Sequence, residues 1–239
     1  MMLNSPETLC VVMPIYNEEA IIAEVVQEWD KTLTALDVTY QIHTYNDGSK
    51  DATLAILQEL SQDIKELVVH TASNQGHGPT LLSAYNDALD YTWIFQTDSD
   101  GEMSPKYFNE LWANRDDCDF LLGSRSQRAQ ALSRKAISFI SRAIVRLFYG
   151  KGIWDVNSPY RLMRTSIIST FIQNIPSDTF APNLIISGIV NLKKYRFYET
   201  PIPHQERQTG EVSIKKFRLL MAAFRSFAQT IRFRLFADL

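Results

Sequence analysis

Short apolar runs alternate with stretches of helical periodicity through the first 125 residues of the chain. Leu9 to Met13, Gln41 to Tyr45, Leu67 to His70, Trp93 to Thr97 and Phe120 to Leu122 are brief, with several β-branched or aromatic members, and predict buried strands. Between them, Glu18 to Leu36, Ala52 to Leu60, Thr80 to Leu89 and Pro105 to Ala113 repeat apolar residues at the helical period. Asn17 is placed to cap the first helix and Ser49 or Asp51 the second, while Pro79 and Pro105 suit a first helical turn. Strands alternating with helices predict an α/β fold, with a mostly parallel sheet flanked by helices on both faces and right-handed crossovers.

The pattern changes after residue 125. Ala131 to Tyr149 reads as a basic amphipathic helix, with Arg134, Lys135, Arg142 and Arg146 among Ile, Phe, Val and Leu. A loop from Gly150 to Pro159, a short run at Tyr160 to Met163, helices near Thr165 to Gln173 and Pro182 to Lys193, and a strand at Tyr195 to Thr200 follow. A last helical stretch, about Ser213 to Phe236, mixes cations with large apolar groups, which suits either a membrane interface or packing on the domain. With no repeat, low-complexity tract or linker, residues 1–239 read as one domain.

In a parallel sheet, ligands bind beyond the carboxyl ends of the strands. Four unusually polar loops fall there: Pro14 to Glu18, Asn46 to Asp51, Asn74 to Gly78 and Asp98 to Glu102. Charge sharpens the picture. Residues 1–120 hold 21 acidic and 5 basic side chains and residues 121–239 hold 6 and 19, which reproduces the net charge of −3. A basic second half points to an anionic partner, such as phosphate groups or an acidic membrane surface, or simply to solvated faces of opposite sign. The acidic first half argues against nucleic acid. No run reaches the roughly 18 to 20 apolar residues of a bilayer-spanning helix, Met1 to Thr8 lacks a secretory signal, and the two cysteines have no metal spacing. The expected setting is cytoplasmic, with peripheral contact on the inner face of the membrane.

Asp98-Ser99-Asp100 directly follows the apolar strand at Trp93 to Thr97. Two carboxylates one residue apart repel unless a cation or protons neutralise them, and Mg²⁺ or Mn²⁺ favours such oxygens and retains a diphosphate as co-ligand. Glu102 is close enough to add a third oxygen; a capped turn before Pro105 is the plainer alternative. Asp47 can accept hydrogen bonds from a base or ribose, Tyr16 can stack on a base and Glu18 can accept a ribose hydroxyl, or each can serve an ordinary turn.

Taken in order, Pro14-Ile15-Tyr16-Asn17-Glu18, Asn46-Asp47-Gly48-Ser49, Asn74-Gln75-Gly76-His77-Gly78 and Asp98-Ser99-Asp100-Gly101-Glu102 resemble the motifs of family-two glycosyltransferases of the GT-A (Rossmann-like) fold. Gly123-Ser124-Arg125, Asp155 to Arg161 and His204-Gln205-Glu206-Arg207 are similar to later motifs of the dolichyl-phosphate mannosyltransferase and polyprenyl-phosphate glycosyltransferase branch. The resemblance runs from about Leu9 to Ser213.

It implies an inverting, metal-dependent hexosyltransferase that moves a sugar from a GDP- or UDP-sugar to a polyprenyl or dolichyl phosphate, or to a glycolipid. Pro14, Tyr16, Glu18 and Asp47 would contact the nucleoside, with Gly76, Asp98 and Ser99 completing the donor set. Asp98, Asp100 and Glu102 would hold the Mg²⁺ or Mn²⁺. Arg125, Arg134 and Arg207 would face the acceptor phosphate, and Asp155, with Asp100 and Arg125, would form the catalytic group, Asp155 serving as base for a hydroxyl acceptor. Residues 1–125 would bind the donor, 126–212 the acceptor, and 213–239 form a basic C-terminal amphipathic helix. The chain departs from the family in Asn46 for aspartate, Glu102 for glutamine, Ser158-Pro159-Tyr160 for Ser-Gly-Phe, and in lacking the C-terminal membrane-spanning helices of some members. Competing readings are a soluble family-two enzyme acting on a glycan hydroxyl and a non-catalytic nucleotide-binding homologue; a nucleotidyltransferase would need a glycine- and arginine-rich phosphate loop that is absent.

Overall fold

β1 (Thr8–Ile15) is buried on both sides: Leu9, Val11, Met13 and Ile15 enter one core layer, Cys10 and Val12 the other. That is why its apolar run is continuous rather than alternating. The computed structural model describes residues 7–36, 38–126, 132–203 and 216–237, with side chains except at 126, 132–135 and 216–220.

Parallel to β1 lie β2 (Thr39–Asp47) on one side and β4 (Trp93–Gln96) on the other, with β3 (Leu67–Ala72) outside β2. β6 (Arg161–Arg164) pairs antiparallel with β4 and with β5 (Phe120–Ser126), and β7 (Phe197–Pro203) runs parallel to β5. The seven strands form one sheet in the order β3-β2-β1-β4-β6-β5-β7. Helices α1 (Ile22–Thr34), α2 (Thr53–Asp63) and α4 (Phe108–Ala113) cover one face, where Trp29 meets Phe95 at 5.1 Å between ring centroids. The other face is covered by α3 (His77–Asp87), α5 (Leu132–Tyr149), α7 (Pro182–Leu192) and, through Phe233, α8 (Lys216–Phe236). The expected α/β sheet flanked by helices is the observed one. No helix among the described residues is long and apolar enough to cross a membrane.

Topology concentrates the loops. The carboxyl ends of β1, β2, β3, β4 and β5 share one edge, and antiparallel β6 starts there, so the loops leaving the first five strands meet the chain entering the sixth. Expected boundaries move by a few residues. The helix expected near Thr165 to Gln173 divides into α6 (Thr165–Ile168) and a 3₁₀ turn, Ile172–Asn174, and Pro105–Tyr107 forms a second 3₁₀ turn before α4. α8 occupies Lys216–Phe236, its expected first residues lying outside the described ones; its inward stripe is Ala223, Ser226, Thr230 and Phe233, while Met221, Phe224, Leu235 and Phe236 point outward. Small and polar side chains let α8 approach closely enough for the Tyr149 hydroxyl to donate to Thr230 O at 2.7 Å.

Candidate active site

Two of the residues placed to cap α1 and α2, Asn17 and Ser49, do something else. Asn17 has a positive φ of 56°, its N–H donates to Ser49 Oγ at 3.0 Å, and its Oδ1 accepts from Lys50 N–H at 2.8 Å. Ala52 N–H donates to Glu19 Oε2 at 2.7 Å, while Glu19 N–H donates to Asp51 Oδ2 at 3.2 Å. The first two loops thus tie to each other instead of capping; α1 begins at Ile22 with no side-chain cap. Asp51 still accepts from Thr53 N–H at 3.1 Å, in the first turn of α2.

Asp47, 5 % exposed at the end of β2, fixes the third loop. Gln75 N–H donates to its Oδ1 at 2.7 Å and Gly76 N–H to its Oδ2 at 2.9 Å. Gly76 reaches that position with φ 93°, where a side chain would be strained. Gly48, at φ 68°, lets the second loop press on the third: a Cβ there would sit 2.7 Å from Asn74 N.

Pro14, Tyr16, Glu18, Asp47, Gly76, Asp98 and Ser99 all line one cavity of about 410 Å³, with Asp100 at its end. Ser99 turns its hydroxyl to Pro14 O at 3.2 Å, pinning the fourth loop against the first. Glu102 N–H donates to Asp100 Oδ1 at 3.1 Å. Asp98 Oδ1 is buried and has no hydrogen-bond partner among the described residues. A buried carboxylate oxygen without a donor is costly, and a cation satisfies it. The aspartate pair therefore fits a divalent ion that takes its remaining ligands from phosphate and water. No set of three His, Cys, Asp or Glu side chains among the described residues forms a cage by itself.

Asp98 and Asp100 also line a small neighbouring cleft with Glu102, Arg125 and Pro159, so the pair stands where the two spaces meet. Arg125, at the end of β5, grips Asp155 with both ends of its fork: Nε to Oδ2 and Nη2 to Oδ1, each 2.8 Å. Their side chains are 15 % and 17 % exposed. Burial pushes the Asp155 carboxyl up, but the Arg125 charge and its hydrogen bonds outweigh this and hold it below the ordinary range. Burial alone would lower Arg125; Asp155, Asp98 and Glu102 raise it instead. Arg161, six residues beyond Asp155 in the chain, is fully buried and bonds carbonyls, with Nη2 on Ser158 O at 2.6 Å. Its burial brings it down to about 10.

Arg134 lies in α5 with its side chain outside the described residues, as do His204 and Arg207 altogether. Local motifs gave no signal for two contributors. Phe180 walls the same cavity from the loop before α7, and Glu199, inside β7, accepts Trp154 N–H at 2.7 Å and Asp155 N–H at 2.9 Å. His77, which the sequence left without a role, also lines the cavity and was legible from its place beside Gly76.

The family described as glycosyl transferase family 2 matches residues 10–171. Among curated proteins, the undecaprenyl-phosphate 4-deoxy-4-formamido-L-arabinose transferase of Salmonella choleraesuis (strain SC-B67) is 26% identical over 212 residues, 88% of this chain and 63% of that protein. The chain thus spans less than two thirds of the length of this relative. Among solved structures, glucosyl-3-phosphoglycerate synthase from Mycobacterium tuberculosis in complex with Mn²⁺, UDP-glucose and phosphoglyceric acid superposes with a TM-score of 0.69 at 15% identity, covering 97% of this chain and 81% of that one. Mannosyl-3-phosphoglycerate synthase from Rubrobacter xylanophilus gives 0.70 at 11% identity, over 96% and 74%. At these identities the likeness is one of fold, the GT-A fold.

Proposed function

The chain belongs to glycosyl transferase family 2, and from that premise we propose that it moves a sugar from a nucleotide-sugar to a polyprenyl phosphate, with inversion at the anomeric carbon. The observation that carries this reading is the partnerless buried oxygen of Asp98 at the end of a cavity built by the loops after four strands. Asp98 and Asp100 would hold Mg²⁺ or Mn²⁺, which supplies Lewis-acid stabilisation of the charge on the departing diphosphate. The Mn²⁺ and UDP-glucose of the glucosyl-3-phosphoglycerate synthase complex support this assignment.

The protein's own groups position the reactants. Tyr16 stacks on the base, Pro14 and Glu18 border the nucleoside, and Asp47 keeps the Gln75–Gly76 backbone closed around it. Residues 1–125 thereby serve the donor and 126–212 the acceptor. The name of the Salmonella transferase supports a polyprenyl-phosphate acceptor, and so does the basic second half. Arg125, held in orientation by Asp155, presents its guanidinium to the acceptor phosphate together with Arg134 and Arg207. An acceptor phosphate is already anionic and needs no base. A hydroxyl acceptor would need one, and Asp155, with both oxygens on Arg125 and its carboxyl held low, is a weak base. This favours the phosphate over the glycan or glycolipid reading.

Calorimetry of GDP and UDP, with and without Mn²⁺, on the protein and on Asp100→Ala tests the site. One nucleotide should bind only with the metal and fail to bind the variant. Metal-independent binding, or none, overturns the reading.

A further inference from the structure

We propose that the outer face of α5, continued by the Trp154 indole, docks on an anionic phospholipid surface. Phe139 is 68 % and Leu147 79 % exposed, with Ile140 between them, so α5 turns large apolar side chains to the outside while Val145 and Tyr149 bury its inner face. At about 100° per residue, Phe139, Arg142 and Arg146 fall within roughly 60° of one another around the helix, and Leu147 continues the apolar stripe alongside. Trp154, 54 % exposed, lies against the same side: the Arg142 guanidinium is 3.4 Å from the indole centroid and Arg146 is 5.6 Å away. Arg142 Nε–H donates to Trp154 O at 2.9 Å, which locks the stack to the loop.

These features match the chemistry of a bilayer interface. Apolar side chains enter the acyl boundary, an indole settles at headgroup level, and guanidinium groups fork onto lipid phosphates. α5 carries four basic residues and no acidic one. That composition selects an anionic surface and opposes a second copy of the chain, which would bring Arg142 and Arg146 against their own counterparts. Position adds a reason. Asp155 follows Trp154 directly and grips Arg125, so the face abuts the end of the site assigned to the acceptor phosphate, whose polyprenyl chain would stay in the bilayer. This placement beside an acceptor phosphate rests on the polyprenyl-phosphate reading; the docking face itself does not.

The other three tryptophans, Trp29, Trp93 and Trp112, are buried, so a vesicle-induced shift of the intrinsic emission reports Trp154. The full chain is titrated with vesicles of phosphatidylcholine and with vesicles containing about a third phosphatidylglycerol. A blue shift and co-sedimentation on the anionic vesicles, weakened by salt, are expected. Phe139→Glu with Leu147→Glu should lower partitioning at least about tenfold while leaving nucleotide binding unchanged. Arg146→Gln, which keeps the apolar stripe, should reduce the preference for anionic over zwitterionic vesicles several-fold. Absence of binding, or equal binding by the double variant, overturns the proposal; so does self-association in light scattering that the double variant abolishes. Nucleotide calorimetry stands apart from all these readouts, so failure of the docking face and failure of the transferase site are separable.

Discussion

Replacing Asp47 by asparagine separates two roles that the site combines. If Asp47 served the nucleotide alone, the free protein would be indifferent to the change. The geometry says otherwise, because both carboxylate oxygens accept backbone N–H groups, from Gln75 at 2.7 Å and Gly76 at 2.9 Å, at a residue 5 % exposed. Asparagine keeps one acceptor and turns an NH₂ toward the other N–H, donor against donor. One hydrogen bond to a charged acceptor, worth ~1.5 to 3 kcal/mol, is lost, and a poorly solvated N–H is left facing a donor. A destabilisation of about 2 to 4 kcal/mol follows, which for a chain of this size lowers Tm by roughly 4 to 15 °C. The third loop would also loosen, so nucleotide affinity should fall with stability. Thermal melts of the ligand-free protein, followed by calorimetry with GDP and UDP, measure both. A melting temperature within about 1 °C of the parent, with affinity lost, would refute the anchoring role and return Asp47 to direct nucleotide contact.

Asp155→Asn leaves the Arg125 guanidinium buried without its carboxylate and should destabilise by about 3 to 5 kcal/mol in urea titrations; less than ~1 kcal/mol would show the pair to be dispensable. Changing both residues, Arg125→Met with Asp155→Leu, should recover much of that loss while removing acceptor turnover. Because the Asp155 carboxyl is held below its ordinary range, its contribution is complete above that range and disappears as the pH falls through the lowered value. His43 gives a second acid-side slope. Burial, with the His70 charge adding and Asp87 opposing, pushes its imidazole down to about 4. The unfolded chain takes up that proton near pH 6.5, so stability is complete above about 6.5 and declines toward pH 4 by up to ~3 kcal/mol. His43→Gln should flatten urea midpoints across that window, and an unchanged slope would contradict the assignment.

The fold was written locally. The apolar run from Leu9 to Met13 predicts a strand buried on both sides because each residue has a core to enter, and Asp98-Ser99-Asp100 at the end of a strand predicts a carboxylate pair at the sheet edge wherever that strand packs. These properties depend on residues within a turn or a strand of one another, so the sequence by itself determined the α/β class, the four loops and most of the residues that line the cavity. Tertiary structure decided what those residues bond to. Asn17 and Ser49 carry a capping signature, yet distance between two loops, invisible in sequence, made them partners across 32 positions. Asp155 had Arg161 close by in the chain but pairs with Arg125, 30 positions away, because antiparallel β6 brings its loop to the end of β5. Phe180, from the loop before α7, and Glu199, from β7 beside β5, come from still farther along the chain. α8, equally readable as a membrane helix or a packed one, sends Phe233 into the core and keeps Phe224, Leu235 and Phe236 outside, while α5 too carries an outward apolar face, for reasons of exposure that only the assembled fold defines. Periodicity and turn chemistry are properties of neighbours in sequence, whereas ion pairs, orphaned oxygens and exposed faces are properties of neighbours in space.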